Sequence, residues 1–278
     1  MVALAGLAIV SLVTVAVAFP AGVAMSSDPG APAVPLWVVV MPPVVGIVLA
    51  LLLPPSRHRL PAVAVRPDRL RWTTWLLLAA WAAFTAAALF LPLGGEDYVL
   101  AKVVVLVVVP ALVVALLRSA VRIGRLPAGR RRRGAWRWWA PVLVIGVWAL
   151  LSQAAPWVPP ADLGSYDTAT LVVAGTATAL SAGVGEELFY RRWLQTRLEA
   201  AWGAGAGVAV TSVLFALMHL GSHGEGPWWL DVARVVVVQG AFGVFMGVLW
   251  WRYRNLAAVI AAHVIANGWL VVAELITR

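Results

Sequence analysis

Nine runs of apolar residues divide this chain, at about 3–19, 35–53, 72–92, 99–117, 138–155, 168–190, 204–220, 229–251 and 255–275. Each comes near the roughly 20 residues that a helix needs to cross the hydrocarbon core of a bilayer. Backbone polar groups find no water in lipid, so runs of this kind satisfy themselves as packed helices. Composition agrees: 62% of the 278 residues are hydrophobic and 12% are charged, whereas soluble domains are about half apolar and a quarter charged. The expected fold is therefore all-α, a polytopic transmembrane helical bundle of about nine membrane helices. The first run ends near Ala16-Val17-Ala18, as a signal peptide would, and its cleavage would leave eight. It lacks a positively charged segment ahead of the apolar core, which favours a retained helix.

Basic residues orient the bundle. Eighteen of the 21 fall after runs 2, 4, 6 and 8, from Arg57 to Arg71, Arg118 to Arg137, Arg191 to Arg197, and at Arg252 and Arg254. The alternate loops carry Asp28, Glu96, Asp97, Asp162, Asp167 and Glu225. This alternation predicts an N-terminus inside; Lys102, Arg234 and Arg278 are its exceptions. The net charge of +9 thus reads as membrane topology, and the loops hold no folded nucleic-acid reader, so no nucleic-acid partner is expected. The basic loop 118–137, with PAGRRRRG at 127–134, reads as an anchor touching anionic lipid. Tryptophans near run ends, at Trp136, Trp138, Trp139, Trp228, Trp229, Trp250 and Trp251, read as an interfacial belt. The absence of cysteine excludes disulfides, thiolate metal sites and a cysteine nucleophile. No chemistry is assigned to residues 1–160, which read as transmembrane helices with basic cytoplasmic loops.

Chemistry concentrates in residues 161–278. The stretch SAGVGEELFYRRW, 181–193, sets Glu186 and Glu187 directly after an apolar run. Acids at membrane depth are expensive and mark candidate functional sites. Arg191 follows Glu187 by four residues, so that pair shares a helix face and reads as structural. Glu186 points elsewhere and needs another partner. Downstream, Phe215 and His219 stand four apart, as do His263 and Asn267. Antiparallel packing about the Gly-rich turn near residue 203 levels Glu186 with His219, each roughly 25 Å from the turn; His263 and Asn267 rise roughly 15 and 21 Å from the turn at 252–254. Gly203, Ala204, Gly205, Ala206 and Gly207 permit close helix approach. Arg191 and Arg192 then lie inside the interface, so they either snorkel toward water or border a hydrated cavity, and the cavity is the favoured expectation. A lone intramembrane His or Asn is ordinarily interhelical glue; two acids, two histidines and an amide at matched depth favour a working site.

Glu-Glu-x-x-x-Arg at 186–191, Phe-x-x-x-His at 215–219 and His-x-x-x-Asn at 263–267, in that order on successive apolar segments, resemble the CPBP intramembrane proteases, the CAAX prenyl protease and Abi bacteriocin-processing family. The resemblance covers about residues 165–275. It implies hydrolysis of a peptide bond at or within the membrane, with Glu186 as general base, His219 holding or activating water, and His263 and Asn267 stabilising the oxyanion or positioning a ligand. Glu187 and Arg191 would fix the helix, with Phe215 in support. Amide hydrolysis does need an activated water, a proton donor for the amine and donors aimed at the oxyanion. Glu186, His219 and His263 also form a possible zinc set, or one for another divalent metal, with one open position. The sequence leaves the metal-bearing and metal-free forms both open.

The expected substrate is a membrane-associated or prenylated peptide or protein, and the expected setting a bacterial plasma membrane. A competing function is a bacteriocin-immunity protein acting by binding alone. A proton-coupled transporter is less favoured, because no internal repeat accompanies the polar groups.

Overall fold

The computed structural model describes residues 2–24, 32–55, 62–117, 121–123, 138–159, 163–223 and 226–278. Most of the basic loop 118–137, with Trp136, His58, Asp28, Asp162 and Glu225, lies outside them. Every apolar run falls on a helical stretch: α1 Val2–Ala18, α2 Leu36–Leu52, α3 Pro67–Phe90, α4 Gly95–Leu116, α5 Trp139–Ala154, α6 Thr168–Trp202, α7 Ala204–Met218, a one-turn α8 Leu220–His223, α9 Trp228–Tyr253 and α10 Leu256–Thr277. Six of these, α3, α4, α6, α7 with α8, α9 and α10, are long and apolar enough to cross a membrane; α1, α2 and α5 are shorter. The chain is an all-α multi-pass membrane protein. Two small antiparallel pairings accompany the helices, Val23–Ala24 with Ala33–Val34 and Ala62–Ala64 with Val121–Ile123.

The fold is organised around α9. In its most apolar 18-residue window 72% is buried, against 17–39% for the other five long helices. Its glycines explain how it comes to be surrounded. A Cβ at Gly243 would meet Ser212 Cα of α7 at 3.2 Å, and one at Gly247 would meet Val208 Cγ1 at 3.0 Å. Across α9, Gly46 of α2 lies under the Phe245 ring, which stacks on Trp148 with centroids 5.2 Å apart. Outer helices turn Leu52, Phe90, Leu112 and Val173 outward. Patches of this extent are a liability in water and suit acyl chains.

Three helices depart from regular α winding, α5 over Leu150–Ala154 and two that carry residues discussed below. Residues Ala179–Gln195 of α6 and Val104–Val108 of α4 wind with i→i+5 hydrogen bonds. Such wide turns are rare and recur at functional sites. In α4 the wide turn directly precedes Pro110, whose missing N–H and ring would otherwise disrupt the regular ladder.

Several arginines expected to mark loops are built into the bundle. Arg252 donates to the carbonyls of Ala50, Leu51 and Leu53 at 2.8, 2.9 and 2.9 Å, closing the carbonyl end of α2. Arg254, at φ 49°, pairs with Glu199, whose Oε1 accepts from Gln195. Arg197 donates to Thr73 Oγ1 at 3.1 Å. Trp250 departs from the expected belt: it is 1% exposed and donates to Thr196 Oγ1 at 3.2 Å, since an indole inside the bundle needs a partner for its N–H. At the start of α6, Asp167 caps the helix, accepting from the Thr170 N–H at 3.0 Å and its hydroxyl at 2.6 Å.

Candidate active site

Bare backbone brings three helices together here. A Cβ on Gly183 of α6 would stand 2.5 Å from Val264 Cγ2 of α10, and one on Gly185 would stand 3.0 Å from Val107 Cγ2 of α4. Glycine therefore lets α10 and α4 approach α6 on either side of Glu186. The α6–α7 hairpin closes the third side. Gly203 turns at φ 85°, and a Cβ at Gly207 would meet the Glu199 backbone N at 2.9 Å.

Within this contact the two glutamates take different partners. Glu187 pairs with Arg191 Nε at 3.2 Å, as the spacing predicts. Its Oε1 also meets His263 Nδ1 at 2.7 Å, a contact that the spacing does not reveal. Glu186 points Oε2 toward His263 Nε2 at 3.9 Å. Its Oε1 lies 2.8 Å from Lys102 Nζ of α4. Glu186, Glu187 and His263 are 1%, 0% and 3% exposed. Glu186 Oε2 has no hydrogen-bond partner among the described residues. A gap of 3.9 Å between two polar atoms is where a bridging water is to be sought.

The histidines are held alike. His219 ends α7, and its Nδ1 lies 2.8 Å from the Phe215 carbonyl. A carbonyl only accepts, so Nδ1 carries the proton and the lone pair is on Nε2. Glu187 imposes the same tautomer on His263. Phe215 stands between the rings, with centroids 4.8 Å from His219 and 6.0 Å from His263. The two imidazoles are thus no farther apart than the sum of those distances. Asn267 lies one turn beyond His263, is exposed, and makes no hydrogen bond among the described residues.

Arg191 neither snorkels nor faces a hydrated cavity. It is 0% exposed, with its guanidinium 5.2 Å from the Phe215 ring centroid and 5.9 Å from that of Tyr190. The carboxylate and two aromatic faces compensate its charge. Arg192, its neighbour, is exposed.

Lys102 is the residue that sequence reasoning passed over. It comes from the half of the chain to which no chemistry was assigned, and its exception to the charge alternation was the available signal. A second signal was its singularity, for the chain has twenty arginines and one lysine. Among the described residues no three His, Asp or Glu side chains gather as metal ligands, and the ammonium already occupies one Glu186 oxygen.

Residues 168–269 match the family model described as "Type II CAAX prenyl endopeptidase Rce1-like". All three motifs, 186–191, 215–219 and 263–267, lie inside the match, and Lys102 lies outside it. Comparison with curated proteins and with solved structures found no match.

Proposed function

We propose, from an Rce1-like family membership that covers residues 168–269, that this chain is an intramembrane endopeptidase in which Glu186 activates water against a peptide bond of a membrane-associated substrate. The family makes it a CAAX-type endopeptidase in general; the assignment of base and water rests on the site. The observation that carries it is the 3.9 Å gap between Glu186 Oε2 and His263 Nε2, both buried.

A water in that gap gives its proton to Glu186 Oε2 as its oxygen bonds to the peptide carbonyl carbon. The C–N bond then breaks, and the proton passes to the departing amine. His263, with its lone pair on Nε2, accepts from the water and becomes a donor only as imidazolium, a form the Glu187 carboxylate stabilises. His219 is assigned to holding the water, and Asn267 to the oxyanion that develops on the carbonyl. No metal is assigned a role.

The test is cleavage by the full-length protein in lipid nanodiscs, with farnesylated and unprenylated forms of one peptide and products identified by mass. Cleavage of either form supports the reading, and the ratio of the two rates defines the substrate class. Binding of both without cleavage contradicts it and favours the immunity alternative.

A further inference from the structure

We infer that Lys102 is a positioning residue for Glu186, contributed to the site by the half of the chain outside the family match; this rests on the protease reading above. Three observations carry it. Nζ lies 2.8 Å from Glu186 Oε1, with the two side chains 9% and 1% exposed. The other carboxylate oxygen, Oε2, is the one without a hydrogen-bond partner among the described residues and the one facing His263 Nε2. And this is the only lysine in a chain that uses arginine at its twenty other basic positions.

The ammonium fixes the carboxylate's rotation through Oε1 and thereby commits Oε2 to the water. An unrestrained glutamate can turn either oxygen, or neither, toward the gap. Lysine suits the task because its charge is a compact point with rotatable donors, whereas a guanidinium presents a planar fork that would engage both oxygens. Stability alone does not account for it, since buried ion pairs are often replaceable by apolar residues without loss. The approach is prepared on both sides. Tyr98, one turn earlier in α4, sets its ring centroid 4.9 Å from Nζ, and Gly185 gives α4 room beside α6. Lys102 touches neither water nor peptide; it acts through Glu186.

The experiment measures kcat and KM for one cleavable peptide with the full chain and with Lys102→Met, Lys102→Arg and Glu186→Gln, each checked for monodispersity and thermal stability in the same detergent. The inference expects kcat of Lys102→Met to fall at least tenfold with KM nearly unchanged. Lys102→Arg should keep the natural stability, because charge is restored, and still lose kcat, because the fork binds both oxygens. Where Lys102→Met does not assemble, Lys102→Arg carries the test by itself. Natural or faster turnover in an assembled Lys102 variant overturns the inference, and so does a loss that only tracks the unfolded fraction. Retained cleavage by Glu186→Gln overturns the protease reading instead, whatever the lysine variants do.

Discussion

Glu187 Oε1 and His263 Nδ1 meet at 2.7 Å across 76 positions of sequence, joining α6 to α10 through a buried contact. The contact gives Glu187 more than its expected helix-fixing role. It selects the histidine tautomer whose Nε2 faces Glu186, and it places a negative charge behind the ring if that ring becomes protonated.

Glu187→Gln separates these roles, because the glutamine oxygen still accepts from Nδ1 while the charge is gone. Turnover is expected to fall on the order of 10²-fold, the scale of a lost acid–base contribution, with peptide affinity unchanged. Steady-state kinetics on the assembled variant check this. A natural rate would show that the His263 ring stays neutral throughout.

Gly183 and Gly207 should respond differently to alanine. The Gly183 Cβ would press on Val264 Cγ2 at 2.5 Å, a side-chain tip next to His263. Gly183→Ala is therefore expected to lower turnover more than stability, by moving α10 and the imidazole. The Gly207 Cβ would meet Glu199 backbone N at 2.9 Å, and backbone cannot step aside. Gly207→Ala is expected to destabilise by about 1–3 kcal/mol, the usual cost of overpacking. Thermal unfolding beside turnover tells the two apart.

Much of this was legible in residue spacing. Apolar runs located the helices, because lipid leaves the backbone little choice. The fours between Glu187 and Arg191, Phe215 and His219, and His263 and Asn267 group side chains by face, and depth counting levels Glu186 with His219 and allows His263 the same layer. What escaped was set by packing between distant segments. Lys102 reaches Glu186 across a close approach of α4 to α6 at Gly185, and one-dimensional periodicity does not see across helices. The i→i+5 winding of 179–195 was missed because its residues suit ordinary α winding equally well. Arg197, Arg252 and Arg254 read from the sequence as loop charges that mark topology, yet each has carbonyl, carboxylate or hydroxyl partners inside the bundle.

Chelation should leave the enzyme working. Lys102 occupies one oxygen of Glu186, so dialysis against EDTA, with metal content followed by elemental analysis, is expected to remove adventitious ions without lowering turnover. Loss on chelation and recovery with zinc would contradict the metal-free account.

Asp167 provides a pH dependence away from the site. The Thr170 hydroxyl and amide donate to its carboxylate and hold its pKa below the usual range. A depressed folded value means the cap's contribution is complete above the unfolded pKa and is lost as pH falls through the folded one. Thermal stability of the natural chain and of Asp167→Ala should therefore differ at neutral pH and converge in acid. Curves that stay parallel would show that the cap carries no proton linkage.

The central claim is tested most directly by comparing peptide turnover of Glu186→Gln with that of the natural chain, both assembled in the same lipid. The account predicts a loss on the order of 10²- to 10⁴-fold, with the peptide still bound. Cleavage by Glu186→Gln at a rate near the natural one would contradict it.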